Sequence, residues 1–281
     1  MTSQLQNRPV RALSGAAVVL ALFATSACGS DQLQDSSEGD DTLIQVASHT
    51  TPMTDVVEAA AEVAEEEGYT IELVQVSDNV QYNRLLADGE VDANFAQHEP
   101  YMQAYNAEND AELAVVQPIY NARVGFYSQD YDSLDEIPEG ARIALPNDES
   151  NEGRALAILA DQGLITLADG VGFEGTLDDV EENPKNIEWV QVDLLNLTSA
   201  YEEDGIAAVF NYPTYISSLG LTPEDAIAVE ENIDERFAIS LVAREADLDT
   251  EKMDVLERAM TSDEVRDFMV EEHDETLLPA F

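Results

Sequence analysis

One stretch, "TLIQVASHTTPMTDVVEAAAEVAEEEGYTIELVQV" (residues 42–76), restricts the fold more than any other part of the chain. It opens as a strand. Thr51 is placed to cap a helix with Pro52 at its first position, and Val56, Val57, Ala60, Val63 and Ala64 fall on one helical face before Gly68 ends it. A second strand, Ile71 to Val76, follows. Strand, helix and strand at this spacing most simply make a parallel pair joined by a crossover, which commits the chain to an α/β fold.

The same grammar continues. Asp78 opens a short helix that closes at Gly89, Val91 to Phe95 reads as strand, and Pro100 starts a helix carrying Tyr101 and Tyr105 on one side. His98 and Glu99 therefore fall between the C-terminal end of a strand and the N-terminus of a helix, where open α/β sheets bind ligands. The pattern then restarts in "ARIALPNDESNEGRALAILADQG" (141–163): a strand, a turn in which Asp148 or Ser150 can cap, and a helix with Leu156, Leu159 and Ala160 on its apolar face. "IEWVQVDL", "GIAAVFNYPTY" and "FAISLVARE" read as further strands, the second broken by Pro213, and Thr250 to Met269 reads as one helix with Met253, Leu256, Met260 and Val265 inward.

At 281 residues the chain exceeds the size at which a single core usually stops growing. The two rounds of strand and helix thus predict two α/β lobes.

The first 41 residues follow other rules. Arg8 and Arg11 precede an apolar run from Ala12 to Ala24, too short for a membrane span, and small residues follow: a secretory signal over 1–27. The sole cysteine, Cys28, comes next, so no intrachain disulfide can form. Its context resembles the lipobox of bacterial lipoproteins, in which that thiol is acylated, although Thr25 replaces the usual bulky residue. Residues 28–41 read as the lipidated cysteine and a flexible acidic tether, with a reach on the order of 40 Å. The expected location is extracytoplasmic, anchored to the outer face of the cell membrane through Cys28.

Charge sets limits on partners. Twelve Lys and Arg face 59 Asp and Glu, a net −47 that repels nucleic acid and anionic lipid. Solubility in high salt accounts for such a surface. The acid excess also makes paired carboxylates uninformative as a catalytic motif.

Two motifs invite chemistry and are weak. "GVGFEG" (170–175) has dinucleotide-loop spacing but follows a helix end, not a strand, and is read as a loop. His98 with Glu99 is a candidate metal pair, but the chain has only three histidines, and a structural role for His98 stays open. No G-x-S-x-G occurs, and no enzyme activity is expected. Arg154, a rare cation expected in the first turn of its helix, suits an anionic ligand group; an ion pair with one of the many acids is the alternative.

"DANFAQHEPYMQAYN", "ALPNDESNEGRALAILADQGLI", "DGVG", "ENPKNI" and "GLTPEDAI", in that order, resemble the methionine-binding lipoprotein family, the substrate-binding subunits of methionine-importing ABC transporters. The resemblance implies a two-lobed periplasmic-binding-protein fold (type 2) with two crossovers: lobe I from 42–121 plus 238–281, lobe II from 122–237. It implies a monomer that captures L-methionine or a related amino acid, without cofactor, and passes it to a permease with its ATPase subunit. The family's ligand contacts fall on His98, Tyr101, Asn151, Arg154 and Asn211, with Arg154 on the ligand carboxylate. The chain departs from the family pattern at Ala96, where the usual aromatic is displaced to Phe95, at Tyr82, where proline is frequent, and in the first loop, "SHTTPMTDVV". Tyr82 and Phe95 are therefore added to the expected ligand-binding set. A different apolar amino acid, a methionine-containing dipeptide, or a metal held by His98 and Glu99 remain as alternatives.

Overall fold

The structure, a computed structural model, describes residues 41–273 and 276–281. The expected signal, Cys28 and all of the tether but Asp41 lie outside the described residues.

The chain opens as the sequence predicts. Strand β1 (Leu43–Ser48), helix α1 (Met53–Glu66) and strand β2 (Thr70–Gln75) form a parallel unit in register from Leu43 against Thr70 to Ser48 against Gln75. Helix α1 begins one residue later than expected, with Pro52 at the cap, and the Thr51 hydroxyl donates to the Asp55 carboxylate instead of capping. Helix α2 (Gln81–Ala87), strand β3 (Ala93–His98), helix α3 (Glu99–Asn109) and strand β4 (Leu113–Asn121) follow. Between β3 and α3 there is no loop at all: His98 ends the strand and Glu99 begins the helix.

The chain then builds a second sheet. Strands β5 (Gly125–Tyr127) and β6 (Arg142–Pro146), helix α4 (Glu149–Asp161), the short strands β7 (Thr166–Leu167) and β8 (Val180–Glu182), and β9 (Glu188–Val192) come first. Helix α5 (Leu197–Tyr201), strand β10 (Ile206–Asn211), helix α6 (Pro213–Ile216) and strand β11 (Ala228–Val229) complete it. Strand β12 (Ile239–Arg244), helices α7 (Glu251–Met260) and α8 (Asp263–Glu272) and strand β13 (Leu278–Pro279) return to the first sheet.

The six-stranded first sheet has the order β13-β4-β12-β3-β1-β2, and the five-stranded second sheet β11-β5-β10-β6-β9; β7 and β8 form a separate pair. The chain passes between the two larger sheets twice. In each, a parallel core meets antiparallel strands: β12 beside β3 in one, β5 beside β10 in the other. One face of the first sheet packs Ile44, Val46 and Phe95 with Val56, Val57 and Ala60 of α1, Leu256 of α7 and Val265 of α8. The other packs Ala47 and Ala96 with Tyr82, Leu86 and Met102 from α2 and α3.

The single helix expected from Thr250 to Met269 is two. Ser262 accepts from the Val265 N–H and caps α8, so the chain bends at Thr261 and Ser262 while Met253, Leu256, Met260 and Val265 all stay buried. "GVGFEG" is a loop with one turn of 3₁₀ helix, Gly172–Glu174. It presses on α4 so closely that a Cβ on Gly153 would stand 2.1 Å from the Phe173 carbonyl oxygen, which only glycine permits there.

Candidate functional site

Two parallel pairs of strands, one pair in each larger sheet, end toward one place. After β1 comes His49, β3 ends on His98, β6 leads through Asp148 into α4, and β10 ends on Asn211 just before Tyr212. The Ser48 hydroxyl donates to the Phe95 carbonyl at 2.6 Å and ties the ends of β1 and β3 together. Strand ends at a reversal of order are where α/β sheets form crevices. A narrow cavity of about 30 Å³ lies there. From the first sheet and its helices its wall takes Met53, Asn79, Tyr82, Ala96, Gln97, His98, Tyr101, Tyr120 and Ile239; from the second, Asn151, Leu194, Tyr212, Thr214 and Tyr215.

His98 is both wall and cap. Its Nδ1 accepts from the Tyr101 N–H at 3.2 Å, satisfying the first turn of α3, so the proton resides on Nε2, which donates to Asn151 Oδ1 at 3.2 Å. That bond joins the two sheets' ends. Burial, with Arg154 nearby, pushes the imidazole down to about 3, so it is neutral at ordinary pH. Tyr101 extends from the same turn, its hydroxyl donating to the Asn79 carbonyl at 3.2 Å.

Asn151 is oriented from three directions. Asp148 caps α4 by accepting from the Asn151 N–H at 3.0 Å and also accepts from the Asn151 amide Nδ2 at 2.9 and 3.0 Å. This leaves Oδ1 toward the cavity, where it accepts from His98 and, at 2.7 Å, from the Tyr212 hydroxyl. Tyr212 Oη in turn accepts from Arg154 Nη1 at 3.1 Å, so a chain of hydrogen bonds runs from Arg154 through Tyr212 and Asn151 to His98.

The expected ligand-binding set divides here. His98, Tyr101, Tyr82 and Asn151 line the cavity; Arg154, Asn211 and Phe95 do not. Arg154 lies in the second turn of α4, not the first, because the helix starts at Glu149. Its guanidinium is fully buried and holds Glu230 through Nε at 3.0 Å and Nη2 at 2.5 Å, the Ala122 carbonyl at 3.1 Å, and Tyr212. The Phe237 ring covers it at 4.4 Å. An acid of the chain takes the bidentate edge that was expected to meet a ligand carboxylate, and the ion-pair alternative is what this geometry shows. Asn211 points to its own surroundings, donating to Thr198 and accepting from the Tyr212 N–H. Phe95 packs edge-on against Tyr120 at 5.9 Å, behind the wall.

The metal pair does not form. Glu99 is exposed and accepts from Gln103 at 2.8 Å, while His98 faces Asn151. Among the described residues no group of three or more potential metal ligands converges.

Sequence reasoning missed Tyr212, Thr214 and Tyr215, although a signal was present. "NYPTY" repeats the logic of "QHEPYM": a buried strand runs out, a proline starts a helix, and aromatic residues flank it. Gln97 was also missed; it is held with Asn83 and Asn94 in a buried amide network that fixes α2 on β3. Among the described residues, no formally charged side chain lines the cavity. What the wall offers is neutral: hydroxyl and amide groups at one set of positions, and aromatic rings with Met53, Leu194 and Ile239 at others, a surface for a small molecule with polar and apolar parts.

Known proteins match along nearly this whole length. The chain is 35% identical over 268 residues to the methionine-binding lipoprotein MetQ of Bacillus subtilis, covering 94% of this chain and 97% of that protein. Among solved structures, a YaeC-family lipoprotein from Enterococcus faecalis superposes with a TM-score of 0.77 at 46% identity, over 85% of this chain and all of that one. A nutrient-binding protein from Burkholderia cenocepacia bound to methionine superposes with a TM-score of 0.80 at 31% identity, again over 85% of this chain and all of that one. The α/β arrangement of two sheets is thus that of substrate-binding proteins. The sequence pattern of the NlpA lipoprotein family matches residues 44–281, and the chain belongs to that family.

Proposed function

We propose that this chain is the substrate-binding lipoprotein of an ABC importer and captures L-methionine, or a closely related apolar amino acid, between two lobes. The observation that carries this reading is the cavity where the strand ends of both sheets meet, bridged by His98 and Asn151. The lobes are residues 42–121 with 238–281, and 122–237. A cavity of about 30 Å³ admits on the order of two water molecules, so an amino acid enters only when the lobes part and leaves the site closed around it.

The proposed contacts are His98, Asn151, Tyr101, Tyr82, Tyr212 and Gln97. Dipoles, not formal charges, receive the ligand's ammonium and carboxylate groups; Arg154 acts from behind by strengthening Tyr212 as a donor, and Asn211 by holding the Tyr212 backbone. The aromatic and aliphatic part of the wall receives the side chain, where a thioether is favoured by contact with rings. Secretion through the signal at 1–27, acylation of Cys28 and an acidic tether place the binding domain outside the membrane, beside a permease with its ATPase. Among the described residues, no helix is long and apolar enough to cross a membrane.

The test is thermal unfolding of protein stripped of carried ligand, with L-methionine, leucine, glycyl-methionine or zinc, each with and without chelator. A ligand at a thousandfold its dissociation constant adds about 4 kcal/mol. A large, chelator-independent shift with L-methionine is expected. A shift only with zinc, lost on chelation, overturns the reading.

A further inference from the structure

Two of the three departures of this sequence from the family pattern, the first loop and Tyr82, meet in space. His49, in that loop just past β1, stacks on Tyr82 at 5.8 Å between ring centroids, tilted by 26°. On its other side His49 Nε2 and the Tyr215 hydroxyl share a hydrogen bond of 2.9 Å, and the two rings stand 6.0 Å apart. Tyr82 and Tyr215 both line the cavity, but they belong to opposite sides of it: Tyr82 to α2, packed on the first sheet, and Tyr215 to α6, which follows β10 of the second. The bond joins residues 166 positions apart and is independent of the bond from His98 to Asn151.

We propose that His49 and Tyr215 form a second clasp across the cleft, with Tyr82 holding the imidazole in place, so that His49 is a positioning residue for closure and not a ligand contact. This rests on the reading of the protein as one that closes on its ligand. His49 is nine-tenths buried, and its Nδ1 has no hydrogen-bond partner among the described residues. The bond to Tyr215 is therefore the whole polar satisfaction of a buried imidazole, and a ring that served only as packing filler would be better replaced by an apolar one. When the lobes part, both nitrogens gain water; when they close, the Tyr215 bond replaces the water at Nε2 and Nδ1 gives its water up.

Closure of this clasp excludes a proton. Burial pushes His49 down to about 4, with Asp78, ahead of α2, pulling partly back; an exposed imidazole titrates near 6.5. The other titratable groups around it are Tyr82 and Tyr215, both raised by burial, and close to those tyrosines lie Tyr101, Tyr120, Tyr212 and Asp148. The open form, with the higher value, takes up the proton as pH falls below about 6.5. The closed form is disfavoured progressively down to about pH 4, by about tenfold at pH 5.5 relative to pH 8.

The experiment uses the full chain with L-methionine as probe and compares wild type with His49→Phe, which keeps the stack, and His49→Gln, which keeps a hydrogen-bonding end. Expected are a dissociation rate raised about five- to tenfold in His49→Phe with the association rate unchanged, and a return to within about twofold in His49→Gln. Between pH 8 and 5.5, wild type should lose about tenfold more affinity than His49→Gln. Equal dissociation rates in wild type and His49→Phe, or a loss carried by the association rate, overturn the clasp.

A second measurement needs no ligand. Backbone hydrogen exchange at Tyr215 and Ile216 should quicken at least fivefold in His49→Phe while Leu241 and Val242 in β12 stay unchanged. Unaltered exchange at α6 overturns the clasp. Failure of wild type to bind L-methionine would instead remove the proposed ligand and leave the exchange result to decide on the clasp.

Discussion

The two sides of the cavity are built on different terms. On the second-sheet side, Arg154, Glu230, Tyr212 and Asn211 satisfy one another and Asp148 holds Asn151, all within their own half, and an ion pair with side-chain exposures of 0% and 4% sits at the centre. On the first-sheet side, His49 and His98 direct a ring nitrogen across the gap and find their partners, Tyr215 and Asn151, on the other half. On the proposed reading of a cleft that closes on its ligand, bonds of the first kind exist whether the cleft is open or shut, and bonds of the second kind form only on closing. Substitutions on the second-sheet side should therefore register mainly as lost folding stability, and those on the first-sheet side as lost closure.

The hardest break of this contrast is Arg154→Ala. It leaves Glu230 buried without a partner and should cost about 3–5 kcal/mol of folding stability, seen as a lower denaturant midpoint at unchanged slope. The double substitution Arg154→Met with Glu230→Leu should recover most of that stability while ligand affinity stays low, because Tyr212 loses its donor. Next in size is Gly153→Ala. The Phe173 carbonyl must move away from the new methyl group, at about 1–3 kcal/mol in thermal or denaturant unfolding.

Acid should separate the sides as well. His98 is held neutral down to about pH 3, whereas the unfolded chain protonates it near 6.5. The unfolded state binds more protons in that window, so the contribution is complete above pH 6.5 and is lost as pH falls through it, about 2 kcal/mol by pH 5. His98→Asn, which retains a capping oxygen for α3, should flatten the dependence of unfolding free energy on pH between 7 and 5. The smallest expected effect is that of Glu99→Gln. An exposed carboxylate that accepts from Gln103 should change stability and L-methionine affinity by less than about 0.5 kcal/mol when neutralised, and a large loss of affinity would return Glu99 to the site.

The element order was legible because hydrophobic periodicity is local: β1, α1 and β2 can be read from one window of sequence. Tyr101, His98 and Asn151, which the family resemblance picked out as expected contacts, all line the cavity, each at a strand end or in the first turn of a helix. Arg154 shows where that reading stops. Its position in α4 and its importance follow from the sequence, but its partner lies 76 residues away and is one of 59 acids, with nothing local to mark Glu230 among them. Phe95 is absent from the cavity wall because its ring packs against Tyr120 instead. The bend between α7 and α8 turned on one hydroxyl, since an unbroken apolar stripe spans both helices and only the cap at Ser262 divides them.

The neutrality of the cavity wall carries one more consequence. A surface with a net −47 responds to every change of ionic strength, but mobile ions screen what they can approach, and the guanidinium of Arg154 is sealed beneath Phe237 and Tyr212. On the proposed reading, recognition by dipoles, with Arg154 already paired to Glu230 and out of reach of counter-ions, is uncoupled from the medium. The exterior can be tuned to brine or to dilute water while the grip on the ligand stays the same.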